Sequence, residues 1–220
     1  MFGMSSFTRW LRQSSLVRIV VGFLLAAAVL AAFGWLVTGP YKGIVAGFDS
    51  NLRYTARQIQ SPMWTALFLT LTKLGSTLYL AIIGSVAGII FIFLRWFRAP
   101  LLLVVVMAGQ AALHLGFKWL FERPRPSALI NYPTAENFSF PSGHAIGAVC
   151  LYGAIAWAVA TRAESAAAKA GVAIFAAVMI FLIGVSRIYI GVHYPTDVLA
   201  GFIAASIWTA AATSIDRTPL

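Results

Sequence analysis

Long apolar stretches alternate with short polar ones along nearly the whole chain. A helix that crosses a bilayer needs about 20 predominantly apolar residues. Six stretches come close to that length, and we predict that each spans a membrane: 19–37, 76–94, 100–120, 144–160, 170–185 and 195–213. The pattern therefore predicts an all-α fold, in which residues 1–220 form a single membrane-embedded bundle of six transmembrane helices.

The first long polar segment, residues 39–61, contains a further helical pattern. Its apolar residues recur at the three- and four-residue spacing of one helix face. They are Phe48, Leu52, Ala56 and Ile59. This spacing predicts a short helix on the membrane surface, with Asp49 or Ser50 capping its start; a plain solvated loop is the alternative. Ser61 and Pro62 then suit the N-cap and first residue of another helix ahead of the second span.

Three basic residues, Arg9, Arg12 and Arg18, precede the first span. The same arrangement opens a secretory signal peptide, whose apolar core has about 7–15 residues. The run 19–37 is longer than that, so we predict an uncleaved signal anchor. Its alanine-rich end leaves cleavage as the alternative.

The composition excludes several classes of protein. Apolar residues make up 60% of the chain and charged residues 10%, whereas soluble domains have roughly 45–50% and about 25%. A soluble domain, a disordered chain, collagen and a coiled coil are therefore excluded. The single cysteine, Cys150, excludes an intramolecular disulfide framework and a cysteine-based metal cluster.

The net charge of +10 has more than one explanation. Nucleic acid is one possible partner of a basic protein, but a membrane protein also uses cations to contact head groups and to bind anionic substrates. Basic residues are equally numerous on the two sides of the predicted membrane. Leaving out four that belong to the candidate site below, the positive-inside rule favours both termini in the cytoplasm.

Polar residues concentrate at the ends of the last four predicted spans, which by parity lie on one side of the membrane. They are Lys118, Arg123, Arg125, Ser142, Gly143, His144, Arg187, His193 and Asp197. Taken singly, each has an ordinary explanation as a head-group contact, a helix cap or a local hydrogen bond. Their coincidence on one side favours a functional site, because polar groups at membrane depth are costly.

This set of residues suits phosphoryl transfer. Lys118, Arg125 and Arg187 can neutralise the oxygens of a phosphate. The backbone N–H groups of residues 142–144 can do the same where a helix begins. Asp197 and Glu122 are the only acids nearby, too few for a magnesium site, so a protein group must supply the nucleophile.

Histidine can attack phosphorus when one ring nitrogen is neutral and the other is held in place. His193 with Asp197 fits that role, and His144 can give a proton to the leaving oxygen. The residues by themselves do not decide which histidine attacks.

Three segments in order resemble the three-part motif of the type 2 phosphatidic acid phosphatase family, which shares its site with bacterial acid phosphatases and vanadium haloperoxidases. They are Lys118 with Arg125-Pro126, Pro-Ser-Gly-His at 141–144, and Ser186-Arg187 with His193 and Asp197. The motifs cover residues 118–197, and the six-span plan extends the resemblance to nearly the whole chain.

The resemblance implies a lipid phosphatase in the cell membrane, with its site facing away from the cytoplasm and with no cofactor or metal. It implies that His193 is the nucleophile, that Asp197 orients it, and that His144 is the general acid and later the base. The residues it implies for phosphate binding are Lys118, Arg125, Ser142, Gly143 and Arg187.

Two polar residues fall outside the motif. Family spacing selects Arg125 over Arg123, which is expected to face head groups or solvent. His114, one turn before Lys118, is expected to be packed or hydrogen-bonded as a structural residue.

The resemblance implies lipid phosphates or diphosphates as substrates, in contact with membrane lipids, and no nucleic acid partner. The motifs contact only the phosphate, so phosphatidate, phosphatidylglycerol phosphate and isoprenyl diphosphates all fit. A lipid phosphotransferase, a vanadate-dependent oxidase and a non-catalytic lipid-binding protein are the alternative classes; intact His144, His193 and Asp197 disfavour the last.

Overall fold

A computed structural model describes residues 15–132 and 138–215, with the side chain of residue 215 left out. Within this part of the chain the secondary structure is helical and contains no strand. A 3₁₀ turn, Thr213–Ile215, follows the last of the α-helices. The helices are α1 Ser15–Thr38, α2 Lys42–Gln58, α3 Pro62–Lys73, α4 Thr77–Phe93, α5 Arg98–Phe121, α6 Gly143–Ala160, α7 Ala166–Ile190 and α8 Pro195–Ala212. Arg9, Arg12 and Arg217, which entered the charge count, lie outside the described residues.

The helices begin and end where local chemistry favours it. The hydroxyl groups of Ser61, Ser142 and Ser165 each accept a hydrogen bond from the backbone N–H three residues later, which caps α3, α6 and α7. Helix α7 ends at Gly191, whose φ of 87° lies in the left-handed region that glycine tolerates. Asp197 in the first turn of α8 accepts from the Tyr194 N–H at 2.9 Å.

Five helices are long and apolar enough to cross a bilayer, namely α1, α5, α6, α7 and α8. The sixth crossing is the pair α3 and α4, which are bent by 57° at a short break. Ser61 contacts Tyr189 at the end of α7, whereas further along the pair Gly84 packs beside Leu151 in the middle of α6. The ring centre of Trp96, just after α4, lies 4.8 Å from the guanidinium carbon of Arg162, just after the end of α6. The pair thus passes through the bundle once and brings the crossings to six, as predicted.

The boundaries of two spans differ from those expected. The second crossing was predicted over 76–94, but it begins in α3, because α3 packs along the end of α7 instead of lying apart from the bundle. Helix α7 was predicted to end at residue 185 and continues to Ile190, because Arg187 is buried within its last turn instead of entering a loop.

The predicted helix after the first span is present as α2. It begins at Lys42, so Asp49 lies in its middle and is not its cap. Phe48, Leu52 and Ile59 are partly exposed to the surroundings, as expected for a helix on a membrane surface. Asp49 faces the protein instead and is only 2% exposed.

Small residues allow the spans to pack closely, as is typical of membrane bundles. A Cβ atom added to Gly22 of α1 would lie 2.0 Å from that of Ala211 in α8, and one added to Gly109 of α5 would lie 2.2 Å from the Trp208 ring. The Trp208 indole also donates to the Val106 carbonyl at 2.9 Å. These contacts hold α1, α5 and α8 together.

Candidate active site

The ends of four spans meet at one cavity of about 860 Å³. Six of the eight predicted site residues line it: Lys118 from the end of α5, Arg125 from the following loop, Gly143 and His144 from the start of α6, Arg187 from the end of α7, and His193 from the turn before α8. Ser142 and Asp197 are fully buried directly behind this lining. Residues separated by up to 75 positions in the sequence therefore share one pocket.

His193 presents a defined nitrogen to the cavity. Its Nε2 atom lies 3.2 Å from Nη1 of Arg125. Since a guanidinium group can only donate, Nε2 accepts with its lone pair and the ring proton is on Nδ1. Nδ1 lies 3.5 Å from Oδ2 of Asp197. The histidine is thus in the tautomer that a nucleophile attacking through Nε2 requires.

The charge state of His193 is set by its surroundings. Burial lowers its pKa well below the ordinary value, and the nearby cations Arg187, Arg125 and Lys118 lower it further. The ring is therefore neutral near pH 7, with its lone pair available.

Asp197 is held by a charged network that the sequence did not reveal. Arg123 donates to Oδ1 of Asp197 at 2.5 Å and to Oδ2 of Asp49 at 2.8 Å. Thr196 donates to Asp49 through both its backbone N–H and its hydroxyl, at 2.9 and 2.8 Å. The carboxylates of Asp49 and Asp197 thus share one guanidinium, which fixes Asp197 beside His193.

The placement of Arg123 corrects the expectation that it faces head groups or solvent. Its side chain is buried between the two carboxylates, and its guanidinium carbon lies 3.9 Å from the centre of the Tyr194 ring. A buried cation requires such partners. The sequence analysis named Asp49 only as a helix cap and missed its role beside the site, although one signal was available: it is one of six acids in the chain.

Two of the arginines that line the cavity are held in place by neighbouring groups. Nη1 of Arg125 donates to the Val192 carbonyl at 2.8 Å, which ties the loop after α5 to the turn that carries His193. Nη1 of Arg187 donates to the Thr72 hydroxyl in α3 at 2.5 Å. Thr72 is a second residue that the sequence analysis missed, because the second span was predicted to begin at residue 76, after α3, and so α3 was not expected to contact α7.

The start of α6 provides fewer backbone donors than expected. The Ser142 N–H donates to the Asp197 carbonyl at 3.2 Å, so it does not point into the cavity as predicted. The Ser142 hydroxyl caps α6 by accepting from Ala145 N. The N–H groups of Gly143 and His144 have no partner among the described residues and remain at the positive end of the helix dipole. Two backbone N–H groups, instead of the three predicted, are therefore free to bind an anion here.

His114 also lines the cavity, where its ring packs against the start of α6. A Cβ atom added to Gly143 would lie 2.7 Å from its Nε2 atom, so glycine is required at 143 for this close approach. His144 lines the same cavity, beside Gly75, whose added Cβ would lie 3.0 Å from the His144 ring.

The cavity extends between α4 and α5 along a mostly apolar lining. Its lining runs from Thr77 to Ile92 on α4 and from Lys118 back to Pro100 on α5. Fifteen residues of helix correspond to about 22 Å, most of the depth of a bilayer core. Among residues 15–132 and 138–215, no group of three or more histidine, cysteine or acidic side chains is placed to hold a metal ion.

Comparison with known proteins gives the family. A model of the PAP2 superfamily matches residues 99–218. Phosphatidylglycerophosphatase B of Bacillus subtilis is 31% identical over 189 residues, 84% of this chain and 87% of that protein. Undecaprenyl-diphosphatase of Sulfolobus acidocaldarius is 26% identical over 200 residues, 89% of this chain and 90% of that protein.

A solved structure supports the same assignment. The crystal structure of a transmembrane PAP2-type phosphatidylglycerolphosphate phosphatase from Bacillus subtilis matches with a TM-score of 0.77 and 29% identity, over 91% of this chain and 96% of that one. The chain therefore belongs to the PAP2 superfamily. It is a multi-pass membrane protein of the lipid phosphatase class, which confirms the family indicated by the three motifs.

Proposed function

We propose that this protein hydrolyses a lipid phosphomonoester or diphosphate through a phosphohistidine on His193, without a metal ion. The observation that carries the proposal is the contact between Nε2 of His193 and Arg125 inside a cavity that continues as an apolar groove. A neutral nucleophile is aimed at the point where cations gather, and a groove beside it suits a hydrocarbon chain. The names of the two relatives, both lipid phosphatases, support the same substrate class.

In the first half of the reaction, Lys118, Arg125 and Arg187 hold the non-bridging oxygens of the phosphate, with the two backbone N–H groups at the start of α6. Nε2 of His193 attacks phosphorus, and the bond from phosphorus to the leaving oxygen breaks. His144 gives that oxygen a proton. Asp197 stabilises the positive charge that forms on the His193 ring, as an oriented carboxylate does for a catalytic imidazole.

In the second half, His144 takes a proton from water, which attacks phosphorus. The bond from phosphorus to Nε2 breaks, inorganic phosphate leaves, and His193 regains its lone pair. The protein's own cations neutralise the phosphate charge throughout, which is the task that a metal performs in many other phosphatases.

We further propose that the enzyme lies in the cell membrane with the site facing away from the cytoplasm. Three of the four cations left out of the charge count, Lys118, Arg123 and Arg187, are buried, and Arg125 is half-buried. They therefore serve the site and are not head-group contacts, which supports leaving them out when the positive-inside rule is applied.

Phosphate release and phosphoenzyme trapping test the reaction. Purified protein should release phosphate from a panel of lipid phosphates and diphosphates, equally with and without EDTA, and vanadate should inhibit it as an analogue of the transition state. His193→Ala should abolish turnover, while His144→Ala should still form phosphoenzyme slowly with good leaving groups. An acid-labile phosphoenzyme on His144, or activity that EDTA removes and magnesium restores, would contradict the mechanism.

The orientation has a separate test. A cysteine introduced at Asn131, an exposed position in the loop after α5, should react with an impermeant reagent in intact cells. The native Cys150 is fully buried and gives little background. Protection of the new cysteine until lysis would invert the topology.

A further inference from the structure

A row of polar side chains continues from the phosphate site into the membrane. Gln110, His114 and Lys118 are spaced four residues apart on α5, so they lie on one face, and all three line the cavity. Each step of four residues advances about 6 Å along the helix. Beyond Gln110 the same wall is apolar, with Met107 and Val104.

The two neutral members of this row have no hydrogen-bond partner in the described part of the chain. An amide at membrane depth without a partner is costly. Gln110 and His114 instead face the cavity, where a bound molecule or water can satisfy them. Their placement therefore indicates that the occupant of this part of the cavity carries hydrogen-bonding atoms.

The class of that occupant follows from distance and charge. In a lipid whose reactive phosphate is esterified to glycerol, the other glycerol oxygens lie four or five bonds of about 1.5 Å from phosphorus, a reach of roughly 6–7 Å. A phosphate bound at Lys118 thus brings them to the level of His114, about 6 Å along the helix, with the amide of Gln110 as the outer partner one turn further. An isoprenyl diphosphate carries a second anionic phosphate and then pure hydrocarbon. On the wall beyond Lys118 toward Met107, the cavity lining holds no further cation among the described residues.

We propose that Gln110 and His114 form a subsite for the neutral glycerol oxygens next to the reactive phosphate, so that the enzyme prefers glycerol-linked lipid phosphomonoesters to isoprenyl diphosphates. This inference rests on the proposed lipid phosphatase function and specifies its substrate. The hydroxyl or ester oxygens accept from the amide of Gln110 and from the ring N–H of His114. The apolar wall beyond them takes the start of the hydrocarbon chains.

The test uses two substrates that differ in the glycerol alone. Full-length enzyme in detergent is assayed with phosphatidate and with a long-chain alkyl monophosphate, which has a phosphate and a chain but no glycerol. Wild type should favour phosphatidate in kcat/KM. Gln110→Leu should lower the ratio of the two kcat/KM values about five- to tenfold, the effect of losing one hydrogen bond. Gln110→Met, which keeps the length of the side chain, repeats the test if the leucine variant does not fold.

The control is Leu115→Met, a change on the lipid-facing side of the same helix, which should leave the ratio unchanged. A second comparison uses an isoprenyl diphosphate of similar chain length, for which wild type should have the lower kcat/KM. An unchanged substrate ratio in both Gln110 variants, or a wild-type preference for the diphosphate, would overturn the subsite while leaving the phosphatase function intact. Failure of wild type to release phosphate from any of these lipids would instead overturn the proposed function.

Discussion

Asp49 is expected to control turnover although it does not line the catalytic cavity. It is 2% exposed and accepts three hydrogen bonds, from Nη2 of Arg123 and from the backbone N–H and hydroxyl of Thr196. Asp49→Asn keeps the shape of the side chain but removes its charge. The NH₂ group of the new asparagine can only donate, whereas Arg123 and Thr196 need an acceptor at this place.

The structure sets the size of the effect. Removing one partner of a buried ion pair costs about 3–5 kcal/mol. Arg123 keeps Asp197 as a partner, so we expect the lower end, a loss of about 3 kcal/mol in the free energy of unfolding. Arg123 then takes its whole compensation from Asp197, which weakens the support of the His193 ring when that ring becomes positive. A hydrogen bond to a charged group contributes about 1.5–3 kcal/mol, so kcat should fall about 10- to 150-fold with KM little changed.

The assay measures kcat, KM and the rate of phosphoenzyme formation on one lipid phosphate, with thermal unfolding in the same detergent. Glu164→Gln is the matched control, because it removes an exposed acid far from the site and should leave all four quantities near wild type. A wild-type kcat in Asp49→Asn, with only the unfolding temperature lowered, would refute the reasoning and reduce the network to a structural role.

Three further outcomes are expected. Arg125→Lys should lower turnover about 30- to 1000-fold, more than it weakens binding, because the planar fork that holds two oxygens is lost. Arg123→Lys should instead lower stability, since one amine cannot reach both carboxylates as the guanidinium does. A stable and fully active Arg123→Lys variant would count against this. The pKa of His193 should lie below 6.5, and nitrogen NMR of labelled histidine, assigned with His193→Gln, should show a neutral ring at that pH. Because the unfolded chain binds this proton more readily, the residue contributes stability above pH 6.5 that is lost as the pH falls. A titration midpoint of His193 at or above 6.5 would contradict the account. Gly88 lines the cavity and has nothing within 4 Å of an added Cβ atom, so Gly88→Leu should fold but obstruct the groove and raise KM more for long-chain than for short-chain phosphates. Gly171→Leu is equally unhindered but lies outside the cavity, and it should not raise KM. Equal effects of the two variants would argue against chain binding in the groove.

The amino-acid sequence alone was sufficient for the six membrane crossings and the helix after the first of them. Both follow from local patterns, namely the length of an apolar run and the spacing of apolar residues on a polar segment. It was also sufficient to bring together six of the residues that line the pocket, because the three motifs lie at span ends and parity brings those ends to one side. The side on which a span ends follows from the number of crossings before it and does not depend on which helices pack together.

Which helices face each other was decided only by the tertiary structure. In a bilayer all sides of a span are apolar, so hydropathy does not indicate that α3 packs against α7 and supplies Thr72 to Arg187. For the same reason the sequence does not show that His114 and Gln110 face a cavity.

The burial of Arg123 has the same origin. Its partner Asp49 is 74 residues away on the surface helix, and the charge of each alone indicates exposure. Only when α2 packs over the start of α8 do the two charges become partners, because a buried cation is stable only where the fold supplies the opposite charge.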